Sequence, residues 1–309
     1  MKRILITGIG GDISQSVAAI VRENRPTCHL VGADIHQQHG GSLFVDTQFT
    51  LPMANDPGYV AALQRLIAME SIDTVIPMTE PELSVIGARI EKFSGVKWIF
   101  PGKEVVSECV DKLATAEMLE RIGIRGPWTM PVSAGMPDAY PCILKSRLGS
   151  GSRAVFIVRD EEEAAYVVKR HPDSIFQELL NPPDQEVTCA VYRTCDGRVA
   201  TLQMLRRLVG GFTGWAKVIN DAQTVVMCET IAHGLDLRGS MNVQLRITDS
   251  GPRVFEINPR FSSTTLMRHQ LGFSDVLWAL DEAEGKSVTF PVIETGKIMV
   301  RVQGAAVIS

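Results

Sequence analysis

No stretch of this 309-residue sequence approaches 18 consecutive apolar residues, which argues against a membrane-spanning helix. No lysine/arginine block or basic tail is present either. With a net charge of -4, nucleic acid is a poor candidate partner. The six cysteines, 28, 109, 142, 189, 195 and 228, form no Cys-x-x-Cys pair and mostly sit among apolar neighbours. They read as reduced core residues rather than disulfides or a zinc site. The opening MKRILITGIGG lacks the long apolar segment of a signal peptide and runs straight into glycines. The expectation is a cytoplasmic, soluble protein. His36 and His39 have a metal-like spacing, but no Cys or carboxylate pair accompanies them, and a turn explains them better.

What is present is ordinary globular composition, 45% hydrophobic and 21% charged, in a chain long enough for two or three modules. Over the first hundred residues short apolar runs at 3–7, 29–33, 73–77 and 96–100 alternate with amphipathic stretches. Leu83, Ile86, Ile90 and Phe93 mark one helix face. Strands alternating with helices predict βαβ units and a parallel, Rossmann-like sheet. The pattern changes at Pro101-Gly102. A helix-like stretch over 105–122 precedes strand-like runs at 142–145, 154–158, 175–178, 186–192 and 199–205. A helix pattern over 222–233 then leads to strands at 241–247 and 253–257, joined through Thr248-Asp249-Ser250-Gly251. Residues 160–163 read as the acidic first turn of a helix. The second half is therefore α+β. The expected division is 1–104, 105–178 and 179–309.

Three segments carry candidate chemistry. Gly8-Ile9-Gly10-Gly11-Asp12-Ile13 follows a strand and opens a helix, and Asp34 closes the next strand. This resembles a dinucleotide fingerprint, but Ile13 stands where the third glycine belongs. Cofactor binding, a substrate-binding module and a purely structural tight turn all remain open. Lys145 ends a strand and is followed by Ser146-Arg147-Leu148-Gly149-Ser150-Gly151-Ser152-Arg153, small residues whose N–H groups can close over phosphate oxygens. No Gly-Lys-Ser/Thr is present, so this is not a P-loop, and a plain turn would have the same composition. Glu178-Leu179-Leu180 ends another strand before Asn181-Pro182-Pro183, with Glu186 eight residues after Glu178. Such a hinge offers donors and acceptors to an adenine edge and a carboxylate to ribose, although exposed glutamates near a loop are commonly just solvated.

The most specific string is Asn242-Val243-Gln244-Leu245-Arg246, a hairpin, then Phe255-Glu256-Ile257-Asn258-Pro259-Arg260-Phe261. Glu256 and Asn258 are two apart and share one face of a strand, with Gln244 on the neighbouring strand. Hard oxygen ligands on one face suit Mg2+ (or Mn2+) bridging nucleotide phosphates. Arg260, two further on, puts a guanidinium where an oxyanion develops in acyl or phosphoryl transfer.

These residues resemble the ATP-grasp superfamily, closest to the large subunit of carbamoyl-phosphate synthetase and to stand-alone carboxylate–amine ligases similar to it. The resemblance spans nearly the whole chain. Thr7 to Gly11 and Pro77-Met78-Thr79-Glu80-Pro81-Glu82-Leu83 look like the family's Rossmann-like N-terminal domain. By resemblance, Lys112 of Asp111-Lys112 and Lys145 reach ATP phosphates, and 146–153, with Ser150, Gly151 and Ser152, forms the loop over the triphosphate. Glu178, Leu179 and Leu180 form the adenine hinge and Glu186 the ribose ligand. Gln244, Glu256 and Asn258 hold the metal, and Arg260 with Lys145 serves catalysis. After Phe261, many relatives have Ser-Gly-Gly; this chain has Ser262-Ser263-Thr264-Thr265, which puts the acceptor in question.

The resemblance implies an ADP-forming ligase, of carboxylate–amine or thiol type, that takes small-molecule substrates through an acyl phosphate; a homodimer is a common assembly of such relatives. Arg206, Arg207, Trp215 and Lys217 lie in a Gly-rich stretch and are expected either in a mobile substrate loop or as solvated loop residues. The rivals are an NAD-dependent oxidoreductase or epimerase on the N-terminal module and a non-catalytic nucleotide-binding regulator. The first lacks Tyr-x-x-x-Lys: Tyr140 and Tyr166 are followed four residues on by Leu144 and Arg170.

Overall fold

A computed structural model describes residues 1–149, 155–302 and 304–307. The N-terminal alternation folds as β1 (Arg3–Thr7), α1 (Asp12–Asn24), β2 (His29–Asp34), β3 (Thr47–Thr50), α2 (Tyr59–Met69), β4 (Thr74–Ile76), α3 (Glu80–Gly87) and β5 (Lys97–Trp98). The strands form one parallel sheet in the order β3-β2-β1-β4-β5. β3, Thr-Gln-Phe-Thr, has no apolar run and is only half-buried, so no periodicity announces it. The apolar face of 83–93 is real, but its backbone is not one helix. α3 begins at Glu80, where Thr79 and Glu82 form a reciprocal capping box, and a separate 3-10 turn holds Ile90–Lys92. Strand order reverses between β1 and β4, which opens a crevice at their carboxyl ends.

The helical stretch at 105–122 is two helices, α4 (Lys103–Val110) and α5 (Lys112–Arg121). Asp111 breaks it. Its backbone is extended and its side chain accepts from the Leu113 N–H at 3.0 Å, a capping geometry that an interior helical residue cannot adopt. β6 (Thr129–Pro131), β7 (Cys142–Ser146), β8 (Val155–Val158), α6 (Glu161–Val168) and β9 (Ser174–Glu178) follow. Their strands make a four-stranded antiparallel sheet, β6-β9-β7-β8. Asp160 caps α6, and the acidic run is its first turn, as the sequence implied. This unit has a small core of its own, Cys142, Leu144, Val158, Ala164 and Phe176.

The remainder is β10 (Glu186–Arg193), β11 (Val199–Val209), β12 (Phe212–Ile219), α7 (Ala222–Gly234), β13 (Gly239–Thr248), β14 (Gly251–Asn258), α8 (Thr265–Gln270), α9 (Asp275–Ala283) and β15 (Ile298–Val300). The six strands pair antiparallel in the order β14-β13-β10-β11-β12-β15. One face packs Val187, Cys189, Val191, Val243 and Leu245 against α7, α4 and α5. The other joins Ala190, Tyr192, Leu202 and Met204 to α9 and to Val17, Ile20 and Val21 of α1. Each fully buried Val, Leu, Ile or Met among them contributes roughly 1.5–3 kcal/mol. The few aromatics concentrate here: Trp278 sits edge-on to Phe273 at 4.7 Å and Tyr192 at 5.4 Å. The parallel sheet and the six-stranded sheet thus share one core, while the four-stranded sheet stands apart on its own.

One further expectation changes. Residues 206–217 are not a loop but the β11–β12 hairpin, paired from Gln203–Ile219 to Val209–Phe212, with only Gly210 and Gly211 as the turn. The glycines mark that turn, not an irregular segment. All six cysteines are free; Cys195 is exposed and the other five are buried. Among the described residues no helix is long and apolar enough to cross a membrane.

Candidate active site

A cleft of about 640 Å3 lies between the four-stranded and six-stranded sheets. Lys145 at the end of β7, the 178–180 segment after β9, Glu186 on β10, Gln244 on β13, Glu256 and Asn258 on β14, and Arg260 beyond β14 all line it. A larger cavity, about 800 Å3, lies behind Pro259-Arg260-Phe261 and gathers none of the other candidates. Ser150, Gly151 and Ser152 fall outside the described residues.

The floor of the cleft follows from strand periodicity. Gln244 pairs with Thr188 on one side and Glu256 on the other, and Asn242 pairs with Asn258. Successive residues of a strand face opposite ways, so Asn242, Gln244 and Arg246 share the cleft face with Glu186, Glu256 and Asn258. The apolar residues between them, Val243 and Leu245, are fully buried on the far side. The hairpin that brings Gln244 opposite Glu256 turns at Asp249-Ser250, and Gly251, which opens β14, takes φ +97.

Lys145 lines the cleft, and Lys112, which does not, is close enough for its charge to act on Lys145. Lys145 Nζ donates to the Phe255 carbonyl at 3.0 Å and lies over the Phe255 ring at 5.5 Å. Burial pushes its ammonium down to about 8 from the ordinary lysine range; Glu256 pulls it up, and the nearby charge of Lys112 pushes it further down. Lys112, buried at the start of α5, donates from Nζ to the Gly149 carbonyl at 2.7 Å. Asp111 beside it is held by Arg147, which donates from Nε at 2.8 Å and Nη2 at 2.6 Å. Burial alone would raise the Asp111 carboxyl, but Arg147 and the Leu113 N–H outweigh it and hold it below the usual carboxylate range. The Asp-Lys pair therefore anchors the beginning of the 146–153 segment as well as presenting a cation.

Glu178 and Glu186 are not free carboxylates. Glu178 accepts from Arg253 Nη2 at 2.8 Å. Glu186 accepts from Arg206 at 2.8 Å and Arg246 at 2.7 Å. Arg206 also donates to Gln244 Oε1 at 2.7 Å, and Arg246 to the Leu180 carbonyl at 2.6 Å. One guanidinium thus ties the expected ribose ligand to an expected metal ligand, and the other ties it to the hinge. Sequence reading missed Arg246, although it alternates with Gln244, and placed Arg206 in a loop.

The metal candidates form a set with one carboxylate. Asn258 Nδ2 donates to Glu256 Oε1 at 3.2 Å. Among the described residues no group of three His, Cys, Asp or Glu could hold an ion by itself. One carboxylate with amide oxygens fits Mg2+ of the kind that takes its other ligands from phosphates and water, not a closed protein cage. The Asn242 side chain, fully buried in the cleft floor, has its oxygen on Thr188 at 2.9 Å and its Nδ2 without a partner among the described residues. An orphan donor is satisfied by a phosphate, carboxylate or water oxygen, so the floor suits an anion with its metal.

Arg260 closes the far end. Its Nη2 donates to Glu80 Oε1 at 2.9 Å and its Nη1 to the Phe261 carbonyl at 3.0 Å. The following Ser262–Thr265 turn is braced from below by the fully buried Arg268, which donates from Nη1 to Ser262 Oγ at 2.9 Å and is paired with Asp275.

The glycine loop is different. Asp34 Oδ2 accepts from the Gly10 N–H at 2.9 Å, and the His39 ring lies where a Cβ on Gly10 would come within 3.0 Å. A Cβ on Gly41 would sit 2.4 Å from the Ile9 carbonyl. His39 Nδ1 accepts from Gly41 N–H at 3.1 Å, so the His-x-x-His segment is a turn packed on this loop. The carboxylate that would hold a ribose is already occupied by the Gly10 and His36 N–H groups, whereas Gly11 stays exposed at the start of α1, which no side chain caps, and Ile13 lines the cleft.

Comparison with known proteins agrees with this geometry. Residues 109–264 match the ATP-grasp domain family, and residues 4–99 match the PylC-like N-terminal domain. Among solved structures, N5-carboxyaminoimidazole synthetase from Staphylococcus aureus, complexed with ADP, superposes with TM-score 0.80 at 17% identity, over 97% of this chain and 82% of that one. N5-carboxyaminoimidazole ribonucleotide synthetase from Thermus thermophilus gives 0.77 at 18%, over 96% and 82%. L-amino acid ligase from Bacillus licheniformis gives 0.72 at 17%, over 92% and 74%. These three are alike in fold. With half the chain matched by the family itself and a cleft of the corresponding chemistry between its sheets, the protein belongs to the ATP-grasp family.

Proposed function

We propose that the chain is an ATP-dependent carboxylate–amine ligase that forms an amide through an acyl phosphate and releases ADP and phosphate. The observation that carries this reading is the convergence of Lys145, the 178–180 hinge, Glu186, the Gln244–Glu256–Asn258 oxygens and Arg260 on one cleft. The adenine edge would lie along 178–180 and the ribose against Glu186, whose carboxylate Arg206 and Arg246 hold in place. Lys112 and Lys145 would offset phosphate charge. Glu256, Asn258 and Gln244 would hold Mg2+, which when bound neutralises charge on the β- and γ-phosphates. A substrate carboxylate oxygen attacks the γ-phosphorus, the bond from phosphorus to the β,γ-bridging oxygen breaks, and ADP leaves. The amine nitrogen then attacks the acyl carbon, gives up a proton and expels phosphate. Arg260 stabilises the oxyanion of that second step. Positioning and charge placement dominate both steps.

The test is thermal unfolding with Mg-ATP, Mg-ADP, NAD+ and NADP+ in parallel. Nucleotide at about 100 times its Kd adds ~2.7 kcal/mol and raises the midpoint. A shift with Mg-nucleotide alone, followed by ADP release in a screen of carboxylate and amine pairs, supports the reading. A shift with NAD+ and none with ATP overturns it.

A further inference from the structure

Glu80 opens α3 in the crevice at the carboxyl ends of β1 and β4, and its side chain is 7% exposed. Its Oε1 accepts from Arg260 twice, at 2.9 Å from Nη2 and 3.2 Å from Nε. Among the described residues its Oε2 has no hydrogen-bond partner. The mount is stiff. Glu82, two residues further on, accepts from Thr7 at 2.8 Å, Thr79 at 2.8 Å and Tyr59 at 2.9 Å, and the Met78 N–H donates to Thr7 at 3.1 Å. These contacts hold the start of α3 against the parallel sheet and α2. Arg260 is equally constrained through Phe261, which is buried in the shared core, and through Asn258. The guanidinium that faces the cleft thus carries a fixed countercharge before any substrate arrives.

Binding a ground-state anion tightly does not speed a reaction; only interactions stronger in the transition state do. An unopposed arginine at the acyl end would hold substrate carboxylate and product phosphate alike. We propose that Glu80 is a positioning residue that sets both the aim and the effective charge of Arg260, so that the arginine binds resting anions weakly. This rests on the role given to Arg260 under the ligase reading.

The probe is inorganic phosphate, titrated calorimetrically into the full chain with Mg-ADP present. Glu80→Gln is expected to bind phosphate roughly tenfold more tightly than the wild type. The Glu80→Gln/Arg260→Gln double variant is expected to lose that gain. A brace without charge control predicts the opposite sign, because a disordered Arg260 grips phosphate less well. Unchanged or weaker binding by folded Glu80→Gln overturns the proposal, as does a gain that survives Arg260→Gln. If Glu80→Gln does not fold, Glu80→Asp, which withdraws the charge by one methylene, carries the test and is expected to bind phosphate more tightly than wild type; equal or weaker binding overturns it. Loss of the wild-type Mg-ATP midpoint shift would sink the ligase reading alone, since the phosphate comparison does not use ATP or turnover.

Discussion

The glycine loop after β1 and the oxygen-bearing strand β14 both looked like binding motifs in the sequence, and they differ in where their polar groups point. At the loop, Asp34 takes the Gly10 N–H and His39 and Gly41 pack over the turn. At β14, Glu256 and Asn258 face an open cleft and the Asn242 amide beneath them keeps a donor with no partner among the described residues. The difference lies in the carboxylates: Asp34 is spent on its own loop, while Glu256 faces the cleft that Ile13, at the uncapped start of α1, also lines.

That contrast can be broken or sharpened experimentally. The largest effect is expected at β14. Glu256→Ala should lower ADP-forming activity by about 10^2–10^3-fold, as loss of a transition-state charge partner does. It should also abolish the Mg-ATP midpoint shift while leaving the ligand-free midpoint nearly unchanged, because the side chain is only half-buried. A variant that keeps the shift would remove Glu256 from the site.

Next is the glycine side. Gly41→Ala should destabilise the protein by about 1–3 kcal/mol, since its methyl would meet the rigid Ile9 carbonyl. Activity per folded molecule should hold, and chemical denaturation with an active-site titration separates the two. Loss of activity without loss of stability would return the loop to the catalytic centre.

Lys145 gives the pH test. Its pKa of about 8 means the cation is lost as pH rises, so kcat/KM for ATP should fall about tenfold per pH unit above about 8. The stability sign is opposite. The unfolded lysine holds its proton to higher pH than the folded one, so the wild type gains stability as pH rises from about 8 toward the ordinary lysine range. Lys145→Met should therefore be more stable than wild type at pH 7 by on the order of 2 kcal/mol, with the difference shrinking at higher pH. A pH-independent difference would show that burial does not depress this lysine.

The smallest effect should come from Asp34→Asn, which weakens one hydrogen bond to Gly10 at a cost of about 1 kcal/mol. Nucleotide affinity should not move. A weakened Mg-ATP response would mean that the loop reaches the ligand after all.

Much of the cleft was readable because strands have period two. Glu256 and Asn258 had to share a face, and the Asp249-Ser250 turn had to bring β14 back beside β13. Arg206, Arg246 and Glu80 escaped for different reasons. Arg206 stood near three glycines that suggested a loop, whereas only two of them make the turn of a long hairpin. Arg246 alternates with Gln244, but nothing local says that its partners are Glu186 and the Leu180 carbonyl, 60 and 66 residues away. Glu80 meets Arg260 across 180 residues. The break at Asp111 was a legible cap hidden inside a continuous apolar pattern.

By itself the sequence determined the parallel and antiparallel halves, the oxygen face of β14 and the lysine at the end of β7, because each depends on periodicity or on neighbours in the chain. Only the tertiary structure decided that Asp34 is spent on its own loop and which carboxylates are already held by arginines. It also decided that Arg260 carries a countercharge from the other end of the molecule. Those outcomes depend on which polar groups meet after the sheets pack, and no local pattern specifies such meetings.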